Sequence, residues 1–267
     1  MADSWTSRPV LYWRSLGVPL TEVCPKSLQK RLALNFMSIS PHYFYRIASP
    51  SYASMPRRRW LEAEDERNRT TRLKLFMELL EPYIAEGATV LDIGCGAGYL
   101  AKAASSKAGK VFAIDISPGV IECAKILNPS ANIQYVHSST TGWQTVPDGS
   151  INLAYSVAVI QHVRSQVIHY LFDILSKKLK PGGQAYLIVQ IEGDGWRKEE
   201  EWVRDQSLMG RLRWKYALNF FPRTEQYFRD LCSSVGLDYC SVKPASEFLS
   251  SKYDDVYVQN FLHVGKS

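Results

Sequence analysis

A glycine-rich segment that directly follows a β-branched run constrains this chain more than any other feature. Residues 88–93 read ATVLDI, which is typical of a strand buried on both faces, and Gly94, Cys95, Gly96 and Gly98 follow before a helix-like stretch. A side chain on these glycines would block a ligand from approaching the backbone, and a tight turn here requires positive φ angles. The sequence therefore predicts a ligand site at the end of the first strand, as in open α/β sheets.

Further strand-like runs alternate with helix-like stretches as far as residue 190. The predicted strands are 88–93, 110–115, 132–136, 151–157 and 184–190, and the predicted helices are about 98–107, 118–127 and 164–179. The third helix meets Lys180-Pro181-Gly182-Gly183, a strong stop signal. Because strand-helix-strand crossovers are right-handed, this alternation predicts an α/β fold with a doubly wound, mainly parallel sheet.

Different patterns flank this core. Helices are predicted at 26–37, 41–48 and 57–81 before it, and a helix at 224–235 with strands near 237–243 and 255–264 after it. Asp65 and Arg69 are spaced as an i,i+4 ion pair, and Thr224 is a suitable N-cap. We therefore predict that residues 1–70 form a helical cap and residues 71–267 the main domain, with the charged and aromatic insertion 191–222 as a lid.

The glycine spacing discriminates between two classes of cofactor. A dinucleotide site requires G-x-G-x-x-G, but Tyr99 occupies the place of the third glycine and Gly98 precedes it. Asp92 lies two residues before the first glycine, where a carboxylate is unfavourable for a pyrophosphate and favourable for a sulfonium or ammonium group. The segment therefore predicts a cationic cofactor.

Leu91-Asp92-Ile93-Gly94-Cys95-Gly96 with Gly98 resembles the first motif of class I S-adenosylmethionine-dependent methyltransferases of the small-molecule type. The resemblance covers roughly residues 70–265 and implies a Rossmann-like sheet of seven strands with the last one antiparallel. It also implies S-adenosylmethionine as cofactor and S-adenosylhomocysteine as product. In this family an acidic residue at the place of Asp115 grips the ribose hydroxyls, and the residue at the place of Ile116 lies against the adenine.

Matches after the other strands extend the resemblance. Ser139 stands where the family usually has an aspartate that bonds the adenine amino group, so a weaker contact is expected there. Thr140 and Ser156, near the ends of the third and fourth strands, complete the expected cofactor-binding set. Leu179-Lys180-Pro181-Gly182-Gly183 resembles the family's turn before the fifth strand.

Val159-Ile160-Gln161-His162-Val163 resembles the family's Leu-His-His-Val stretch, which faces the donor methyl group in many small-molecule enzymes. A hydroxyl or protonated amine acceptor must lose a proton, and the ordinary pKa of histidine, about 6.5, suits that step. We predict His162 as the catalytic base. The alternative is that His162 packs against the cofactor or caps the following helix.

The acceptor is less well determined by the sequence. Six of the seven tryptophans lie outside residues 88–190, which favours either an aromatic cover over a small natural product or saccharide, or ordinary packing of the cap. The net charge of +6 and Arg57-Arg58-Arg59 keep an RNA methyltransferase as an alternative. The absence of an Asn-Pro-Pro-aromatic motif and of a recognisable RNA-binding module weighs against it. A non-catalytic binding protein is disfavoured by the intact glycines and Asp115.

Features that the sequence lacks lead to predictions about metal binding, membrane spans and the cellular compartment. The five cysteines form no CxxC pair and have no histidine partners at zinc spacing, so no structural metal is predicted. No window approaches 18 continuous apolar residues, and the N-terminus does not resemble a secretion signal. We therefore expect a cytoplasmic protein without a membrane span, as a monomer or a homodimer.

Overall fold

The computed structural model describes residues 24–38, 55–193, 197–211, 219–252 and 255–267. The strands are β1 (Thr89–Ile93), β2 (Lys110–Asp115), β3 (Ile133–His137), β4 (Ile151–Ser156), β5 (Leu179–Val189), β6 (Asp238–Pro244) and β7 (Asn260–Gly265). The helices are α1 (Lys26–Ser38), α2 (Arg57–Leu79), α3 (Tyr99–Ala104), α4 (Pro118–Leu127), α5 (Thr140–Gln144), α6 (Ser165–Lys178), α7 (Glu199–Arg204) and α8 (Glu225–Val235). Short 3₁₀ turns lie at Glu81–Tyr83, Ile160–His162, Ala245–Glu247 and Asp255–Val258.

The strands form one seven-stranded sheet in the order β3-β2-β1-β4-β5-β7-β6. Neighbours from β3 to β5 are parallel, whereas β7 is antiparallel to both β5 and β6. This confirms the predicted doubly wound, mainly parallel sheet with its last strand antiparallel. The strand order reverses between β1 and β4, and in open α/β sheets the crevice at such a switch point is the usual ligand site.

Apolar layers cover both faces of the sheet. Leu91 belongs to a cluster with Phe172 of α6 and Phe228 of α8, whereas its neighbour Val90 belongs to a cluster with Leu79 of α2 on the other face. Because successive strand residues point to opposite faces, a central strand covered on both sides must be apolar throughout. This explains the unbroken apolar run of β1.

The observed elements differ from the predicted ones at several places. The predicted strand 255–264 begins only at Asn260, because a 3₁₀ turn occupies Asp255–Val258. Strand β5 begins at Leu179, five residues earlier than predicted, with Gly182 at φ 75° inside the predicted turn. Helix α5 was not predicted, since five residues are too few to show a helical period. The predicted helix 41–48 lies outside the described residues.

Two N-terminal helices pack beside the glycine loop. Ala33 and Met37 of α1 form an apolar cluster with Cys123 and Leu127 of α4, and α2 packs against α3. Helix α2 runs through residue 70 without a break, so the described structure marks no boundary there, and the division into a cap and a main domain stays a prediction. None of the helices in the described ranges is long and apolar enough to cross a membrane.

Candidate functional site

The loop after β1 needs glycine for two different reasons. Gly94, Gly96 and Gly98 all have positive φ, at 79°, 54° and 80°, a region that favours glycine. A Cβ atom on Gly94 would clash with the side chain of Val159, and one on Gly98 would clash with the Tyr135 ring. A Cβ atom on Gly96 would meet nothing within 4 Å. Gly94 and Gly98 therefore permit close packing, whereas Gly96 leaves an open surface that a ligand can approach.

The Asp115 carboxylate is fixed beside this loop by two backbone N–H groups. Its Oδ2 accepts from the N–H of Gly96 at 3.1 Å, and its Oδ1 accepts from the N–H of Ser117 at 2.8 Å. The next residue, Ile116, is half-buried, and its carbonyl oxygen lies 2.9 Å from Nε2 of His137. Asp115 thus presents a carboxylate, which only accepts hydrogen bonds when ionised, next to the glycine loop.

Asp92 is a buried carboxyl group, 2% exposed, at the carboxyl end of β1. Its Oδ2 has no hydrogen-bond partner within the described residues. The pKa of Asp92 is raised to about 8, chiefly by burial and in part by the nearby negative charge of Asp115. An acidic group in this condition favours a cationic ligand, since the cation would stabilise the ionised form.

Arg72 on α2 is a residue that sequence reasoning missed. Its Nε is buried and has no hydrogen-bond partner within the described part of the chain, and its positive charge lowers the pKa of Asp92 against the larger effect of burial. A signal was present, because Arg72 lies three and four residues before the buried Leu75 and Phe76. An arginine on the apolar face of a helix indicates a buried partner or a ligand.

A polar contact connects α2 to the helix that follows the glycines. The hydroxyl of Tyr99, the residue after Gly98, donates to Asp65, which also accepts from Arg69 Nε at 3.2 Å. Burial opposes ionisation of Asp65, but the hydrogen bonds from Tyr99 and Arg69 hold its pKa below the ordinary value. The predicted Asp65–Arg69 ion pair is confirmed within α2, and the hydrogen bond from Tyr99 to Asp65 holds α2 against the start of α3.

The remaining predicted cofactor residues lie along the same edge of the sheet. The backbone N–H of Cys95 donates to the Ile114 carbonyl at 2.9 Å, and the buried Ser156 hydroxyl donates to the Ile93 carbonyl at 2.8 Å. The Ser139 hydroxyl accepts from the N–H of Gly142 at 3.1 Å as the N-cap of α5. Thr140 begins α5, and its side chain is outside the described structure.

His162 ends the 3₁₀ turn that follows β4, three residues after Val159, whose side chain fills the space beside Gly94. Its Nδ1 lies 3.0 Å from the carbonyl oxygen of Asn219, and the Phe220 ring packs against the imidazole with centroids 4.6 Å apart. The structure thus places His162 at the carboxyl edge of β4, the same edge that carries Asp92 and Asp115.

Residues 219–223 return from the insertion and lie against this turn. The N–H of Phe221 donates to the Gln161 carbonyl at 2.7 Å, and the indole N–H of Trp202 donates to the Phe220 carbonyl at 3.2 Å. Trp196, Trp214 and Tyr216, which the sequence also assigned to a lid, lie outside the described residues. The described parts of the insertion therefore cover His162 with a short aromatic segment.

A polar cleft of about 440 Å³ lies beside this segment, near the N-terminus of α6. Its wall includes Arg223, which is buried, donates to the Val163 carbonyl at 2.6 Å and lies 3.7 Å from a carboxylate oxygen of Glu199. Glu199 also accepts from the N–H of Ser165 at 3.0 Å. Among the described residues, no group of three or more His, Cys, Asp or Glu side chains is arranged to hold a metal ion.

Comparison with known proteins gives matches over the same region. A family model described as a methyltransferase domain matches residues 65–242. The ribosomal protein L11 methyltransferase of Burkholderia mallei is 31% identical over 146 residues, which is 49% of this chain and 46% of that protein. The mitochondrial ubiquinone biosynthesis O-methyltransferase of Schizosaccharomyces pombe is 35% identical over 124 residues, which is 44% of each chain. The matches span about half the length of these relatives.

A solved structure shows the same fold. The geranyl diphosphate C-methyltransferase of Streptomyces coelicolor, in complex with Mg²⁺, geranyl diphosphate and S-adenosylhomocysteine, aligns with a TM-score of 0.54. The alignment covers 82% of this chain and 88% of that one at 13% identity. At this level of identity the likeness concerns the fold alone.

Proposed function

This chain belongs to the methyltransferase domain family, and from that premise we propose that it transfers a methyl group from S-adenosylmethionine to a hydroxyl or amine group of a small-molecule acceptor, with His162 as the base. The observation that carries the proposal is the geometry of His162. Its Nδ1 is held by the Asn219 carbonyl at the carboxyl edge of β4, so its other ring nitrogen is the one that accepts a proton when the imidazole is neutral.

The described residues fit the cofactor, S-adenosylmethionine. Its amino-acid end carries an ammonium and a carboxylate, and two buried atoms without a partner in the described structure, Oδ2 of the acidic Asp92 and Nε of the basic Arg72, match them. We assign the ammonium to Asp92, the carboxylate to Arg72 and the ribose hydroxyls to Asp115. The adenine is assigned to Ile116, Ser139 and Thr140. The cofactor is expected to approach the backbone most closely at Gly94, Cys95, Gly96, Gly98 and Ser156.

Positioning is the main task of the protein in this reaction. When bound, S-adenosylmethionine supplies an electrophilic methyl group on a sulfonium. The chain must hold the acceptor atom in line with that methyl group, and orientation of this kind contributes about 7–11 kcal/mol. His162 takes the proton that a hydroxyl or ammonium acceptor loses, and the 219–223 segment excludes water from the site.

The acceptor class is tested by following the methyl group. The purified protein is incubated with methyl-labelled S-adenosylmethionine and with three fractions of a cell extract: small molecules, ribosomes with their proteins, and RNA. Label in the small-molecule fraction is expected. Label confined to ribosomal protein, the acceptor named for one relative, or to RNA would contradict the proposed acceptor while leaving the methyltransferase family unaffected.

A further inference from the structure

Four buried amide side chains gather where β4 and β5 end, and we name them the amide cluster: Gln161, Gln190, Asn219 and Gln259. Gln161 Nε2 donates to Gln259 Oε1 at 3.2 Å. Val189 of β5 pairs with Asn260 of β7 in the antiparallel register. One residue further along, the same register places Gln190 opposite Gln259. The carbonyl oxygen of Asn219 contacts His162, the residue after Gln161, and this contact places Asn219 near the other three amides.

The amide cluster has unused hydrogen-bonding capacity. Gln161 and Asn219 are each 1% exposed, yet Gln161 Oε1 and both amide atoms of Asn219 have no hydrogen-bond partner within the described structure. Gln190 Oε1 is in the same condition. Each such group costs about 1–3 kcal/mol when it is buried without a partner. Four unpartnered atoms on residues that neighbour one another in the fold therefore indicate a site that a ligand completes.

The position of the amide cluster indicates which molecule binds to it. Gln161 lies in the 3₁₀ turn after β4, and Val159 at the start of that turn fills the space beside Gly94. The cluster thus lies across this turn from the glycine loop, next to His162. A molecule bound there would be adjacent to the methyl donor, which is where the acceptor belongs.

The chemistry of the cluster indicates the charge of the ligand. Amide side chains both donate and accept hydrogen bonds but carry no charge. Arg223, the arginine described in this segment, uses its Nη atoms for the Val163 and Phe221 carbonyls, and its charge is paired with Glu199 at 3.7 Å. A carboxylate or ammonium group placed among amides alone would lose hydration without gaining an opposite charge. Hydroxyl groups, which donate and accept, match the unpartnered atoms.

We propose that the amide cluster is the acceptor-binding subsite and that the acceptor is an uncharged, hydroxyl-bearing molecule. This inference rests on the proposed function and narrows it to one class of substrate. The hydroxyl groups of the acceptor satisfy the amide atoms that are unpartnered in its absence.

Saturation-transfer NMR with three matched probes tests the proposal. The probes are 4-hydroxybenzyl alcohol, 4-hydroxybenzoate and tyramine, which share a phenol ring and differ in charge, each added to the protein saturated with S-adenosylhomocysteine. The neutral probe is expected to bind at least about tenfold more tightly than either charged one. Equal or tighter binding of 4-hydroxybenzoate or tyramine would overturn the proposal.

Two variants locate the binding. Asn219→Leu removes two unpartnered atoms without breaking a side-chain hydrogen bond, so its melting temperature should equal or exceed that of the wild type. Its affinity for 4-hydroxybenzyl alcohol should fall about tenfold, as should that of Gln161→Met, with S-adenosylhomocysteine affinity unchanged. The control is Gln226→Leu on the exposed side of α8.

The outcomes separate this inference from the proposed function. A folded Asn219→Leu variant that binds the neutral probe like the wild type would show that the cluster is structural and would overturn the inference. A wild-type protein that fails to bind S-adenosylhomocysteine in calorimetry would instead overturn the proposed function, and this is measured before any probe is added.

Discussion

His162 Nδ1 lies 3.0 Å from the carbonyl oxygen of Asn219. Because a carbonyl only accepts hydrogen bonds, this contact assigns the proton of the neutral imidazole to Nδ1 and leaves Nε2 as the basic nitrogen. Asn219 and Phe220 belong to the segment that returns from the insertion, and the Phe220 ring packs against the imidazole. The insertion therefore determines both the tautomer and the orientation of the proposed base.

Replacing the base should affect catalysis and spare cofactor binding. His162→Ala is expected to lower kcat by about 10² to 10⁴, the usual contribution of general-base catalysis, with unchanged affinity for S-adenosylhomocysteine. Any pH dependence that the base imposes on the wild-type rate should be absent from the variant. Steady-state kinetics across pH measure both effects.

The matched control is His169→Ala, on the exposed side of α6, which should leave kcat and its pH profile unchanged. A pH profile that persists in His162→Ala, or a loss of rate below tenfold, would assign His162 to packing and move the proton transfer to another group.

Asp115→Ala should weaken the binding of S-adenosylmethionine by roughly 1.5–3 kcal/mol, because hydrogen bonds to a charged acceptor are lost. The N–H groups of Gly96 and Ser117 also lose their partner, so part of the effect comes from a less ordered loop. Isothermal titration calorimetry measures the change, with Asp173→Ala on the exposed side of α6 as control. Equal affinities would show that the ribose is bound elsewhere.

Arg72→Met should weaken the binding of S-adenosylmethionine and S-adenosylhomocysteine to a similar extent, about tenfold or more, because both share the carboxylate assigned to Arg72. Lys74→Met on the same helix is the control, since Lys74 is half-exposed and pairs only loosely with Glu78 at 3.9 Å. Thermal-shift and calorimetric titrations provide the affinities. A larger loss for one ligand than for the other would contradict the assignment to their common end.

Asp92 should make the ligand-free protein less stable as the pH rises. The folded state holds the Asp92 proton up to a pKa of about 8, whereas the unfolded chain releases it near pH 4. Between these values the free energy of unfolding falls with increasing pH, by at most about 1.4 kcal/mol per pH unit from this group. Denaturant unfolding of wild type and Asp92→Asn should therefore diverge towards pH 8 in favour of the variant.

The comparison with Asp92→Asn isolates this group from the other titrating residues. Asp173→Asn, at an exposed position, should keep a constant difference from the wild type over the same range. Parallel stability curves for wild type and Asp92→Asn would show that Asp92 is already ionised in the ligand-free protein.

The insertion should become more protected when the site is filled. Residues 197–211 and 219–223 are tied to the site by hydrogen bonds that include those from Trp202 to Phe220 and from Phe221 to Gln161. Hydrogen exchange in these segments is expected to slow on addition of S-adenosylhomocysteine together with an acceptor, because the ligands stabilise the closed arrangement. Equal exchange with and without ligands would make the insertion a fixed structural cover.

The sequence by itself determined the sheet and the glycine loop. Gly94, Gly96 and Gly98 lie between an apolar strand and a helix, and this pattern allows only a few backbone conformations for the loop. The alternation of strand-like and helix-like segments predicted the parallel sheet at the centre of the fold. The same local rules placed Asp115 at the end of β2, because the carboxyl ends of parallel strands share one edge. Local signals of this kind depend on neighbours in the chain, and they are therefore readable without the fold.

Only the tertiary structure decided which distant groups meet there. Arg72 approaches Asp92 because α2 packs on the sheet, and Gln161 meets Gln259 across 98 residues of chain. The orientation of His162 depends on Asn219, which lies 57 residues later in the chain. Contacts between elements so far apart follow from packing and topology, which no local period or motif encodes.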